Sequence, residues 1–214
     1  MGIKTHHHNE TFFRDFTPLN CYWAGFFAAD GSICERNHSI RIALASKDLD
    51  HLVKFKKDIE STSPILEDKK TKSHSLCIYS AERCIYDLEN GFNIISNKTL
   101  VLKPPYEVPD GPLLKSFWVG FIDGDGCIKY CKRDRSIILD VFSASFRFIN
   151  WFGQEVDKEY GFSRKKIYSY GERHNTYRRQ GSDAIKVLHD LQQYGERKLS
   201  RKWDKVKNYE LGLL

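Results

Sequence analysis

The chain of 214 residues is 41% hydrophobic and 14% aromatic, with four Trp and fourteen Phe, enough apolar material for a real core in one domain or two small ones. It contains no apolar run of membrane-spanning length, and its polar start (Met1-Gly-Ile-Lys-Thr-His-His-His-Asn) shows no cleavable signal pattern. The expected protein is therefore soluble and intracellular, in a bacterial or phage-infected cytoplasm or an organelle, without a membrane partner and not secreted. The net charge is +6, and the excess is one-sided: before Pro109 there are 14 Lys and Arg against 14 Asp and Glu, and from there on 20 against 14. Such a balance favours a polyanionic partner.

The six cysteines (21, 34, 77, 84, 127, 131) include no Cys-x-x-Cys pair, and a chain with this much core needs no staples, so reduced thiols are expected. Cys127 and Cys131 with a histidine are weak evidence for zinc. His6, His7 and His8 read as a solvated run within an N-terminal tail, residues 1–16.

In chain order, Thr17 is a plausible N-cap for a short buried helix that opens at Pro18 and runs through Trp23-Ala-Gly-Phe-Phe-Ala-Ala-Asp30-Gly31, with Gly31 suited to a left-handed C′ position. A hairpin follows from Ile33, closed by a strand over 39–46 whose alternation sends Ile40, Ile42 and Leu44 to the helices. Then come a helix over about 48–60, a hairpin over about 65–80, a helix over about 81–91 and the tetrapeptide Ile95-Ser-Asn-Lys98. Residues 103–111, rich in Pro and Gly, read as a linker.

From Pro112 the order repeats. Trp118-Val-Gly-Phe-Ile-Asp-Gly-Asp125-Gly126 is a near-copy of the first motif. A hairpin from Ile128 closes over 136–143 with Ile137, Leu139 and Val141 inward. A helix over about 146–160, a hairpin over about 165–181, a helix over about 182–194 and Leu199-Ser-Arg-Lys202 complete the match. The repeat implies two related halves, 17–102 and 112–214.

Small residues at helical spacing, Gly25 with Ala28 and Ala29, and Gly120 with Gly124, let two backbones approach along one seam. The two motif helices are therefore expected to pack on each other. Each ends in an aspartate, Asp30 or Asp125, at the negative end of its macrodipole. Two carboxylates placed there are a poor resting arrangement but a good one for a hard divalent cation, Mg²⁺.

The sheet faces turned from the helices are expected to meet nucleic acid. Lys129, Lys132, Arg133 and Arg135 cluster in one hairpin. In the next, Arg164, Lys165, Lys166, Arg173, Arg178 and Arg179 are interleaved with Tyr168, Tyr170, Tyr177 and Gln180, which suits base and phosphate reading. The first half offers Arg36, His38, Arg41, Lys69, Lys70, Lys72 and His74.

The paired motifs resemble those of the LAGLIDADG homing endonucleases in their single-chain, two-motif form, over nearly the whole chain. The resemblance implies an α+β fold of two pseudo-symmetric αββαββα halves, each with a curved antiparallel sheet, packed through the motif helices. It implies a monomer, with no obligate protein partner, that cuts both strands of a long asymmetric double-stranded DNA site and leaves short 3′ overhangs. Mg²⁺ would be the cofactor, with Mn²⁺ substituting and Ca²⁺ supporting binding without cleavage. Asp30 and Asp125 would be catalytic metal ligands, joined by the carbonyls of Ala29 and Gly124. Lys98 and Lys202 would be catalytic cations, with Lys198 the alternative alignment for Lys202. Lys47 holds a position that is often polar or basic, and its counterpart is Ala144. The first motif departs from the pattern at Ala28, where the second has Asp123, a packing or capping position. The alternative within this fold is a non-cutting nucleic-acid-binding protein, an intron RNA-splicing maturase or a transcription regulator. No intein splicing residues frame the chain, so an intron-encoded or free-standing gene is expected. No nucleotide-cradling Gly loop, nucleophile elbow or zinc-protease helix supports an ordinary metabolic enzyme.

Overall fold

The computed structural model describes residues 6–213. The first half runs α1 (Pro18–Asp30), β1 (Gly31–Cys34), β2 (Ser39–Ala45), α2 (Leu49–Asp58), β3 (Ile65–Asp68), β4 (Ser73–Ile78) and α3 (Glu82–Phe92). The second runs α4 (Pro112–Asp125), β5 (Gly126–Cys131), β6 (Ser136–Ser143), α5 (Phe146–Glu159), β7 (Tyr168–Tyr170), β8 (His174–Gln180) and α6 (Ser182–Leu191), and continues into α7 (Ser200–Glu210), which goes beyond the expected elements. Each half holds a four-stranded antiparallel sheet, ordered β1-β2-β4-β3 and β5-β6-β8-β7.

Thr17 caps α1 as expected, its hydroxyl accepting from Asn20 N at 3.1 Å, and Pro18 stands in the first turn. The glycine at the end of each motif does not take the expected left-handed conformation. Gly31 (φ −80°, ψ 156°) and Gly126 (φ −101°, ψ 157°) are extended, because each motif helix passes directly into a strand with no intervening turn. Glycine is required there for space: a Cβ at Gly31 would overlap the Phe27 ring, and one at Gly126 would crowd the Ile122 backbone.

Aromatic and aliphatic burial joins the halves into one continuous core around α1 and α4. Ile40, Ile42 and Leu44, and Ile137, Leu139 and Val141, are buried on the helix side, while α2 and α5 bury Phe55 and Phe152 behind the sheets. Residues 9–16, expected as part of a tail, belong to the first half: Phe12 and Phe13 are buried, and the Phe13 ring packs edge-on against Phe92 at 6.3 Å. His7 pairs its backbone N–H with Thr62 Oγ1 at 2.8 Å.

Aligned on the motif glycines, Ile42 matches Val141, since they pair with Gly31 and Gly126. A 3-10 turn at Ser46–Asp48 precedes α2, whereas Ser145 caps α5 directly. Lys47 sits on that turn, which has no equivalent in the second half.

Candidate active site and outer sheet faces

The helix seam depends on missing side chains. A Cβ at Gly25 would overlap the Phe117 carbonyl, one at Gly120 the Tyr22 carbonyl, and one at Gly124 the Ala29 methyl. Ala28 is buried beside this seam. Backbone-to-backbone approach brings the ends of α1 and α4 together, so that a Cβ on Gly124 would stand 3.3 Å from Asp30 Oδ2.

Asp30 and Asp125 therefore share one spot at the base of the two sheets. Asp30 reaches solvent and Asp125 is half-buried, but surrounding protein displaces much of their water. Desolvation is the main cause that raises both carboxyl pKa values. Asp125 is pushed up to about 6, with the Asp30 charge as the second cause. No hydrogen bond within the described residues offsets this for either group.

Two lysines complete the cluster. Lys98, on the 3-10 turn Lys98–Leu100, and Lys202, in the first turn of α7, are both buried. Lys98 Nζ donates to the Gly31 carbonyl. Lys202 Nζ donates to the carbonyls of Ile122 (2.9 Å), Asp123 (2.5 Å), Gly124 (3.2 Å) and Gly126 (2.7 Å), closing the C-terminus of α4. Burial lowers both lysine pKa values, and the two aspartates oppose it. For Lys98 the opposing charges are Asp125 and Asp30, and for Lys202 they are Asp123 first, then Asp30 and Asp125. Lys198, the alternative, lies elsewhere, donating to the Gln192 carbonyl with its ammonium 5.7 Å from the Trp203 ring centre.

Among the described residues no cluster of three or more His, Cys, Asp or Glu can hold a metal, so the zinc arrangement around Cys127 and Cys131 does not form. The donor set at the seam is two hard carboxylates without internal partners, beside helix-end carbonyls, which suits Mg²⁺ or Ca²⁺ better than a soft ion. A cavity of about 320 Å³ opens beside Asp125 and Lys98, bordered by Ala144, Arg173 and His174. Asn175 places these last two by donating to the carbonyls of Ser143 (3.2 Å) and Ala144 (3.1 Å). A larger cavity, about 720 Å³, lies beside β7 and holds neither aspartate.

Strand parity decides which polar residues face outward. In the second half Lys129, Arg178, Gln180, Tyr168 and Tyr170 lie on the face turned from the helices, while Lys132, Arg133, Arg135, Lys166 and Arg173 are exposed on turns or at strand ends. Tyr177 and Arg179 do not lie there. Both are buried on the helix side, where the Tyr177 hydroxyl donates to Asp157 at 2.5 Å and Arg179 pairs with Asp157 and, at 2.9 Å, with Asp183. They are core residues, because odd-numbered positions of β8 point inward. Asp140, fully buried on the outer face, holds Lys129 at 2.8 Å and Arg178 at 2.5 Å.

In the first half Arg41 faces outward, with Arg36, His38, Lys47, Lys69, Lys70 and Lys72 on exposed turns. His74 does not face outward either: it pairs with Leu44, so it shares the helix-side face, with a buried Nδ1 that has no partner among the described residues.

Sequence reasoning missed the network around Asp123. Its carboxylate accepts from the Tyr22 hydroxyl (2.7 Å), Leu199 N (2.9 Å) and Trp203 Nε1 (2.8 Å). Two bidentate pairs lie beside it, Arg197 with Asp58 and Arg201 with Asp48. The one available signal was a carboxylate inside an apolar helix where the first copy has Ala28.

No family model and no curated protein matches this sequence. The fold, however, is that of solved LAGLIDADG homing endonucleases. The I-CpaMI meganuclease bound to uncleaved DNA aligns at a TM-score of 0.62 and 15% identity, over 93% of this chain and 91% of that one. I-LtrWI bound to target DNA aligns at 0.58 and 13%, over 93% and 90%. I-SmaMI bound to cleaved DNA aligns at 0.59 and 14%, over 92% and 88%, and the same protein is also seen on uncleaved DNA with calcium ions. At such identities the likeness is one of fold.

Proposed function

We propose that this protein is a LAGLIDADG homing endonuclease: a monomeric, Mg²⁺-dependent enzyme that cuts both strands of a long asymmetric DNA site and leaves short 3′ overhangs. The observation that carries this reading is the pair Asp30 and Asp125, pressed together across a glycine seam with raised pKa values and no internal partner. The arrangement destabilises the fold by itself and is relieved by a divalent ion, which supports a metal-using enzyme over a protein that only binds nucleic acid.

Asp30 and Asp125 would hold the metal, with the Ala29 and Gly124 carbonyls beside them. When bound, the ion supplies Lewis-acid stabilisation of the phosphate and a more acidic water. The chain's own part is positional and electrostatic. Lys98 and Lys202 keep positive charge at the floor of the site, where it stabilises the five-coordinate phosphorus of the transition state and the departing oxygen. Each half contributes one such aspartate and one such lysine, which gives one catalytic position for each strand.

The two outward sheet faces supply the DNA surface. Arg178, Gln180 and Tyr168 in one half and Arg41 in the other would read base edges, while the turn cations fix the phosphates. Because these faces differ, the target is asymmetric. Selection for cleavage from a randomised DNA library with Mg²⁺ tests the reading. Recovery of one long asymmetric site with 3′ overhangs is expected, whereas wild-type binding without cutting would leave the maturase or regulator.

A further inference from the structure

Lys98 and Lys202 occupy equivalent places but are held by different means. Lys98 follows Asn97, which sits in the left-handed region (φ 53°), and its turn is three residues long. Among the described residues no ion pair ties residues 95–102 to the second half; the Ser145 hydroxyl donates to the Leu102 carbonyl at 2.7 Å.

Lys202 instead lies on a strap. Residues 197–203 are fastened to the first half by Arg197 on Asp58 (2.7 and 2.9 Å) and Arg201 on Asp48 (2.5 and 2.7 Å). At the centre of the strap is Asp123, 1% exposed, which receives the backbone N–H of Leu199, the first residue before α7, and the indole N–H of Trp203, the residue after Lys202. The third donor is the hydroxyl of Tyr22, a residue of the other motif helix that also contacts His51 Nε2 at 3.1 Å. Lys202 is thus bracketed by two hydrogen bonds to one carboxylate. The first motif carries Ala28 at the matching place and has no such device.

We propose that Asp123 is a positioning residue for Lys202, so that cutting of the strand served by Lys202 depends on it and cutting of the strand served by Lys98 does not. The inference rests on the nuclease reading, but its mechanical half can be tested without catalysis. In Asp123→Asn one of the two acceptor oxygens becomes an N–H donor, facing either Leu199 N–H and the Tyr22 hydroxyl or the Trp203 indole N–H, so the first turn of α7 shifts and carries the ammonium with it across the carbonyls at the end of α4. A displacement of about 1 Å at such a site lowers a rate by roughly 10²-fold. Lys98, built into a separate turn, keeps its place.

The test compares wild type, Asp123→Asn, Trp203→Phe and Lys202→Met on a duplex carrying the selected site with a different label on each strand. Asp123→Asn is expected to slow one strand by about 10²-fold, the same strand that Lys202→Met blocks, so that nicked duplex accumulates. Trp203→Phe removes one donor while keeping an aromatic ring, so a smaller bias toward the same strand is expected even if Asp123→Asn folds poorly. In parallel, lysine acylation read by mass spectrometry, without metal or DNA, should show Lys202 shielded in the wild type and reactive in Asp123→Asn and Trp203→Phe, with Lys98 unchanged. Equal slowing of both strands, or Lys202 as shielded in the folded variants as in the wild type, would overturn the inference. If the wild type does not cut, the nuclease reading falls and the strand-specific claim with it, while labelling still decides whether Asp123 holds Lys202.

Discussion

The two sheets share strand order and direction, yet their outer faces are built from different chemistry. On the first, Arg41 is the one cation among strand residues that include Ser32, Cys34, Ala43, Ser75 and Cys77. On the second, Lys129, Arg178, Gln180, Tyr168 and Tyr170 share the face, and the buried Asp140 fixes two of the cations. A carboxylate placed among cations costs attraction for phosphate but orients guanidinium and ammonium groups, which suits base recognition more than bulk charge does. The difference teaches that a fold built by repetition can furnish its two halves unequally, with cations and tyrosines dense on one outer face and sparse on the other.

Neighbouring residues of β8 give the sharpest way to break that comparison. Arg179→Met removes the partner of the buried Asp157, and loss of one side of a buried pair costs about 3–5 kcal/mol. A fall in Tm of roughly 6–20 °C is expected for a chain of this size, as measured by thermal unfolding. Arg178→Ala, one residue away but facing outward, should lower Tm by less, because the buried Asp140 keeps Lys129 at 2.8 Å. Its main effect should be to relax base preference in one half of the site by about 1–3 kcal/mol, read by competition binding in Ca²⁺. Arg41→Ala should do the same for the other half. If Arg179→Met altered specificity at unchanged Tm, the inward assignment would be wrong.

The paired aspartates respond to pH. Asp125 is held up to about 6 by burial and by Asp30, so its carboxylate is protonated below that pH. Metal affinity should therefore rise up to about tenfold per pH unit below 6 and level off above it, a profile that calorimetric Mn²⁺ titration would show. Asp30→Asn removes a like charge and should move the Asp125 titration downward, visible in carboxyl NMR.

The smallest effect concerns stability. A carboxyl whose folded pKa lies above its unfolded value destabilises the fold progressively as pH rises from about 4 to about 6, and the full penalty remains above that. Asp125→Asn should accordingly raise Tm without metal at pH 7.5. Because Asp125 is partly open to solvent, the gain is discounted to about 1 kcal/mol, or roughly 2–4 °C. At pH 4 the variant and the wild type should melt together.

Much of the fold was legible because periodicity and caps are local. The repeat, Thr17 with Pro18, and the strand over 136–143 all follow from neighbours in sequence. What was not legible depended on distant partners. Gly31 and Gly126 look like helix stops in the sequence, but the tight passage into a strand makes them spacers against Phe27 and Ile122. Tyr177, Arg179 and His74 look like reading residues by type, and only the register of β4 and β8 turns them inward. Asp123 could not be assigned because its donors lie 76 to 101 residues away. The α7 helix was missed because its few buried positions, Lys202, Trp203 and Val206, include a lysine whose burial makes sense only against the end of α4.

The most direct measurement is cleavage of the selected duplex by wild type, Asp30→Asn and Asp125→Asn with Mg²⁺, with binding scored separately in Ca²⁺. All three should bind alike and only the wild type should cut, with a rate loss of at least about 10³-fold in each variant. Cutting by either variant at the wild-type rate would contradict the placing of the chemistry at the helix seam.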